Sequence, residues 1–122
     1  MNSYFFDTYA FFEILVGNPN YLQYSRNIKI VTSQLNLMEF YYLLLKAYPK
    51  EIAIQYFKRY EEFIIPVNNE TLIAAMDFRR KHRKKGYSYV DCIGYLMAKE
   101  LGVKFLTGDK EFKDMQNVRF IK

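Results

Sequence analysis

The sequence predicts an α/β domain: a Rossmann-like three-layer α/β/α sandwich around a mostly parallel sheet of about five strands. Short apolar segments alternate along the chain with longer segments of helical period. Strands separated by helices need right-handed crossovers, and these build a parallel sheet with helices on both faces. A chain of 122 residues that is 51% hydrophobic and 19% aromatic has the length of one domain and the means for its own core. The domain is expected to span residues 1–122, without repeat, linker or low-complexity segment.

Each element has a local reason. Residues 3–6 are a short strand that stops at Asp7. Residues 8–16 are helical and apolar on nearly all sides, and Gly17-Asn18-Pro19 ends them. Residues 20–26 form a short second helix. Lys29-Ile30-Val31-Thr32 is a second strand, rich in β-branched residues. Residues 34–48 are a long helix closed by Pro49. Leu35, Met38, Tyr42 and Leu45 make one apolar stripe on it, and Leu37, Tyr41 and Leu44 make another. A helix apolar on two sides needs cover on two sides, which points to a subunit or partner contact. Helix continues over residues 50–62. Residues 63–67 are a third strand, with Pro66 near an edge or an end. Residues 69–85 are helical, capped by Asn68 or Asn69 and stopped by Gly86. Residues 88–101 are helical, with Gly102 just beyond. Residues 104–107 are a fourth strand, a short helix starts at Lys110, and residues 118–121 are a fifth strand.

Composition narrows the chemistry. The single cysteine, Cys92, excludes a disulfide framework and a Cys-rich zinc module. The single histidine, His82, excludes a multi-His metal site. No apolar run is long enough to span a bilayer. The first 17 residues lack a basic start, and Asp7 and Glu13 interrupt them, so they do not read as a signal peptide and the expected location is cytoplasmic. The net charge of +5 and pI near 9.2 suit an anionic partner.

In an open parallel sheet the site lies beyond the carboxyl ends of the strands, where the strand order reverses. Four acids fall there. Asp7 directly follows the first strand, and Asp109 follows the fourth, two residues after Thr107. Glu39 lies in the second turn of the helix after the second strand. Asp91 lies in the first turn of the helix leading into the fourth strand, which places it at the end of the sheet where the other strands finish. Each also has a structural alternative. Asp7 and Asp109 can cap the helices that follow them, while Asn36-x-x-Glu39 and Ser88-x-x-Asp91 read as capping boxes. The functional argument is their convergence. Asp91 sits beside Gly94 and Ala98, toward the sheet, on a helix whose expected core stripe is Val90, Gly94, Met97 and Leu101. A carboxylate placed there needs a cation. Oxygen donors without thiols or a usable His suit Mg²⁺ or Mn²⁺ rather than Zn²⁺. Such a pocket suits phosphodiester hydrolysis by an ion-activated water.

Phe5-Phe6-Asp7-Thr8, Thr32-Ser33-x-Leu35-x-Leu37-Met38-Glu39-Phe40, Tyr87-Ser88-Tyr89-Val90-Asp91-Cys92 with Ala98-x-Glu100-Leu101-Gly102, and Phe105-Leu106-Thr107-Gly108-Asp109-x-x-Phe112 resemble the successive motifs of the PIN domain. The likeness is to the VapC-type toxins of toxin–antitoxin pairs and runs from residue 4 to residue 121. It implies a Mg²⁺- or Mn²⁺-dependent endoribonuclease, a homodimer, an RNA substrate such as tRNA or mRNA, and a VapB-type antitoxin. By motif position Asp7, Glu39, Asp91 and Asp109 match the acidic set, and Thr107 matches the hydroxyl position. Thr8 follows Asp7, as the family often has it. Cys92 and Gly94 stand where relatives commonly carry small residues such as Ala.

Other features are weaker guides. Arg79-Arg80-Lys81-His82-Arg83-Lys84-Lys85 suits phosphate contacts, but cations also favour a helix carboxyl end. With the four acids set aside, the rest of the chain carries about +9, an acidic hole in a basic surface. Tyr9, Tyr87 and Tyr89 are candidates to stack unpaired bases. The alternatives to a nuclease are a catalytically silent RNA-binding or scaffold domain of the same shape and a phospho-receiver. The latter needs adjacent acids after the first strand, and Phe6-Asp7-Thr8 lacks the pair.

Overall fold

The computed structural model describes residues 2–122. In chain order the elements are β1 (Asn2–Phe6), α1 (Thr8–Leu15), β2 (Ile28–Val31), α2 (Gln34–Leu45), α3 (Lys50–Tyr60), α4 (Asn69–Lys81), α5 (Tyr89–Leu101), β3 (Lys104–Thr107) and β4 (Val118–Phe120). Short 3₁₀ segments fill several connections, among them Pro19–Tyr24 where a short helix was expected. All strand pairs are parallel, in the order β2-β1-β3-β4. Phe5 of β1 lies between Val31 of β2 and Phe105 of β3.

The sheet has four strands rather than five. The segment expected as a third strand contributes only a parallel bridge between Ile64 and Thr32. There Thr32 N–H donates to the Phe63 carbonyl at 3.0 Å, and Ile65 N–H donates to the Thr32 carbonyl at 2.8 Å. Pro66 has no N–H to continue the ladder. Two helices end early. Helix α2 stops at Leu45, with Ala47 and Tyr48 folding their N–H groups back on the Leu44 carbonyl before Pro49. Helix α4 stops at Lys81, and the basic segment tightens into a 3₁₀ turn over Arg83–Lys85 that Gly86 closes at φ 74°.

Alternation along β1 divides the core. Tyr4 and Phe6 face α1, α2 and α3, meeting Phe11, Phe40 and Leu106. Phe5 faces the other way with Phe105, against Cys92, Ile93, Tyr95 and Ala98 of α5 and Ala75 of α4. This is the three-layer sandwich. The core stripe of α5 is broader than the pattern indicated and shifted: Leu101 is exposed, and Tyr95 and Ala98 take its place. The helix is covered by the sheet on one side and by α4 on another, so it buries more than one stripe. On α2, Leu37, Phe40 and Leu44 are buried, while Met38, Tyr42 and Leu45 remain exposed. No helix among the described residues is long and apolar enough to cross a membrane.

Gly94 sets how closely α5 approaches the sheet. A Cβ there would stand 3.0 Å from the Phe5 ring and 3.1 Å from the Phe105 ring. Gly94→Val is expected to lower stability in urea unfolding by about 1–3 kcal/mol, because two buried rings must move to admit it.

Candidate metal centre

Strand order reverses between β1 and β3: the chain goes from β1 outward to β2 on one side, then returns to β3 on the other. The crevice at a topological switch point of this kind opens beyond the carboxyl ends of those two strands. Asp7 follows β1 there, and Thr107, Gly108 and Asp109 end β3. Asp7, Asp91 and Asp109 line one cleft of about 410 Å³, together with Thr8, Tyr9, Gly108, Lys110 and Lys122. Glu39 lines an adjoining apolar cavity with Met38, Tyr42 and Leu43, and Thr8 borders both. The structure thus gathers three of the four acids at one cleft and sets Glu39 beside it.

Three of the four acids both take part in a cap and line the cleft. Asp7 Oδ1 accepts from Thr8 N–H at 2.8 Å. Asp91 and Ser88 form a reciprocal capping box, with Ser88 N–H donating to Asp91 Oδ2 at 2.9 Å. Asp109 Oδ1 accepts from Glu111 N–H at 2.9 Å. In Asp91 and Asp109 the backbone thereby occupies one oxygen and fixes the direction of the other. Glu39 belongs to no capping box, because Ser33 rather than Asn36 caps α2.

Two threonines tie the acids together. Thr107 Oγ1 donates to Asp7 Oδ2 at 2.7 Å and accepts from Asp109 N–H at 3.1 Å. Thr8 Oγ1 donates to Glu39 Oε1 at 2.7 Å and accepts from Asn36 Nδ2 at 3.2 Å. Asn36 is fully buried, and its Oδ1 accepts from Ser33 Oγ at 2.6 Å. Sequence reasoning placed Thr107, but it gave Asn36 only a capping role and Ser33 none. The spacing Ser33-x-x-Asn36-x-x-Glu39 holds the clue, since each polar residue recurs one helical turn after the last and faces the same way. Gly108 is required for closeness: a Cβ on it would meet the Tyr9 ring and lie 2.7 Å from the Ile121 carbonyl oxygen.

The charges are mutually unfavourable. Burial pushes the Asp7 carboxyl up to about 7, the negative charge of Asp91 adds to the rise, and the Thr107 and Thr8 bonds oppose it. Burial raises Glu39 too, against the Thr8 bond and with help from Asp91. Asp91 is raised by burial and by Asp109, against its Ser88 bonds. Among the described residues no three His, Cys, Asp or Glu side chains are gathered tightly enough to hold an ion by themselves. An ion here would need water beside its carboxylate ligands, as Mg²⁺ and Mn²⁺ do, since they keep several waters and take one or two direct carboxylates. Hard oxygen donors with a shared excess of negative charge fit such an ion. The nearby Cys92 is fully buried, with burial pushing its thiol up to about 11, and is no ligand. Tyr87 is buried and His82 packs on Phe78, so neither faces the cleft.

Residues 4–118 match the family model of the PIN domain. Among solved structures the chain is similar to the sarcin–ricin-loop-cleaving toxin VapC20 of Mycobacterium tuberculosis. The identity is 18% and the TM-score 0.80, with 98% of this chain and 99% of that chain covered. It is also similar to a chain of a toxin–antitoxin complex from Klebsiella pneumoniae, at 16% identity and TM-score 0.74 over 94% of each chain. A third is VapBC2 of Rickettsia felis bound to a DNA fragment from its promoter, at 18% identity and TM-score 0.74 over 98% and 99% of the two chains. No curated protein matches the sequence.

Proposed function

The chain belongs to the PIN domain family, and on that premise we propose that it is a divalent-metal-dependent endoribonuclease, the toxin of a VapBC-type toxin–antitoxin pair. One observation carries the proposal: Asp7, Asp91 and Asp109, far apart in sequence, line one cleft at the switch point of the sheet. Asp7, Asp91 and Asp109 would hold Mg²⁺ or Mn²⁺, with Glu39 acting through a water or at a second ion position. The ion supplies a more acidic water and neutralises charge on the scissile phosphate.

The chain's own residues do the rest. Thr107 holds Asp7 Oδ2 and the Asp109 backbone in one geometry, and Thr8 aims Glu39. Burial raises both the Asp7 and the Asp91 carboxyls, so a cation beside them would favour their ionised forms and the cleft favours loading. Lys110 and Lys122, at the cleft's edge, suit the RNA phosphates that flank the cut. Attack by water leaves a 5′-phosphate and a 3′-hydroxyl. The proposed partners are the RNA substrate, a VapB-like antitoxin and a second copy of the chain in a homodimer. Exposed Met38, Tyr42 and Leu45 on α2 offer an apolar surface for one of the protein partners.

The chain is expected to cut single-stranded RNA in Mg²⁺ or Mn²⁺ and to stop in EDTA, with 5′-phosphate ends on the products. Cleavage that persists in excess chelator would remove the metal mechanism. Thr107→Val keeps the shape of the side chain but strips the donor from Asp7 and the acceptor from Asp109. It is expected to lower the cleavage rate by about 10–100-fold, as the loss of groups that orient metal ligands does. An unchanged rate in single-turnover assays would show that the hydroxyl is only structural.

A further inference from the structure

The candidate stacking residues separate sharply in the fold. Tyr87 is buried, its ring stacked on Phe112 at 4.1 Å between centroids. Tyr9 is half-buried and packed against Gly108. Tyr89 is 61% exposed at the first position of α5. The Arg79 guanidinium lies over its ring at 4.4 Å from the centroid. Arg79 is itself held, since its Nε donates to the Tyr87 carbonyl at 3.0 Å. One ring face is therefore braced by a fixed cation. A ring so covered and still this exposed has its other face in solvent.

The platform and a cleft-lining acid share the first turn of α5. Tyr89 and Asp91 leave the same helical turn two residues apart, with Cα atoms about 5 Å from each other by helix geometry. A spacing of two residues turns them to nearly opposite sides of α5. Asp91 borders the cleft while Tyr89 lies under Arg79 of α4. A strand crossing the amino end of α5 would pass both. On the Tyr89 side, α4 ends in Arg80 and Lys81 and the 3₁₀ turn after it carries Arg83, Lys84 and Lys85, all exposed. An aromatic face beside a cationic track is how proteins hold unpaired nucleic acid: the ring takes a base, and the cations take the backbone.

We propose that Tyr89, braced by Arg79, is a stacking platform for an unpaired RNA base next to the cut, and that the basic strip 80–85 holds the phosphates of the same strand. The proposal rests on the ribonuclease reading, and it makes Tyr89 a positioning residue. The test measures binding of a single-stranded RNA carrying a fluorescent base analogue, in the Asp7→Asn background with Mg²⁺ present, so that no cutting intervenes. Tyr89→Ala is expected to weaken binding by about 5- to 100-fold and to abolish quenching of the analogue, with Tyr89→Phe staying within about twofold of the parent. Lys84→Gln with Lys85→Gln is expected to flatten the salt dependence of binding by about 1.4 units of slope. A matched duplex is expected to bind equally to parent and Tyr89→Ala. Equal single-strand affinity in parent and Tyr89→Ala overturns the platform, and so does equal loss in Tyr89→Ala and Tyr89→Phe. The nuclease reading survives either result if the unsubstituted chain still cuts RNA with Mn²⁺. No RNA binding by any variant and no cutting by the parent would overturn both.

Discussion

Replacing Asp7 with Asn is expected to reduce metal-dependent RNA cleavage by well over 100-fold while making the ion-free protein more stable at pH 7.5. The first effect follows from position. Asp7 is nearly fully buried at the switch point and accepts from both Thr8 and Thr107. Changes to groups that merely orient metal ligands cost about 10–100-fold, and loss of a ligand costs more. The second effect follows from the raised pKa. Holding Asp7 ionised in the fold without a cation is unfavourable by up to about 4 kcal/mol, given a rise from 3.8 to about 7. An amide has no charge to desolvate, keeps an oxygen for Thr8 N–H, and can donate to Thr107 Oγ1. A gain of about 1–3 kcal/mol in urea unfolding is expected, in chelator and at pH 7.5. Loss of activity together with loss of stability would make Asp7 a structural residue instead.

The stability of the ion-free chain is expected to fall as pH rises from about 4 to about 7. The folded chain keeps the Asp7 proton up to about 7, whereas the unfolded chain releases it near 3.8. Between those values the native state binds more protons than the unfolded state, so unfolding free energy decreases with pH. Glu39 and Asp91 are raised as well and act with the same sign. This opposes the usual behaviour of paired carboxylates, which lose stability on acidification. The fall approaches about 4 kcal/mol from Asp7 alone. Denaturant midpoints at pH 4.5, 6 and 7.5 in chelator measure it, and Mn²⁺ at pH 7.5 should restore the loss by binding the native state. Stability that rises across this range would mean that protein cations already neutralise the acids.

Much of the fold was legible because apolar period and stop residues agreed. The strand before Asp7, the helix between Ser88 and Gly102, and the strand ending at Thr107 combine pattern with caps, and they lie where the sequence placed them. The misplaced pieces depend on neighbours in space. Phe63-Ile64-Ile65-Pro66-Val67 has strand composition but reaches the sheet only at the Thr32 bridge. Leu101 fits the helical stripe of α5 but is exposed at the last position of the helix. At the site, the positions of Asp7, Asp91 and Asp109 could be deduced from topology alone. The network through Ser33, Asn36 and Thr8 could not. It depends on which face of α2 meets α1, a tertiary choice that helical period does not reveal.

The acids at the switch point are proposed to form a seat for a hard divalent ion. Calorimetric titration of the intact chain with Mn²⁺ at pH 6.5, in two buffers of different ionisation enthalpy, tests it most directly. Asp7 is largely protonated there, so ion binding should release a proton and give a buffer-dependent heat. The account predicts binding with proton release in the wild-type chain, and loss of both in Asp7→Asn. No Mn²⁺ binding, or the same affinity and proton release in Asp7→Asn, would contradict it.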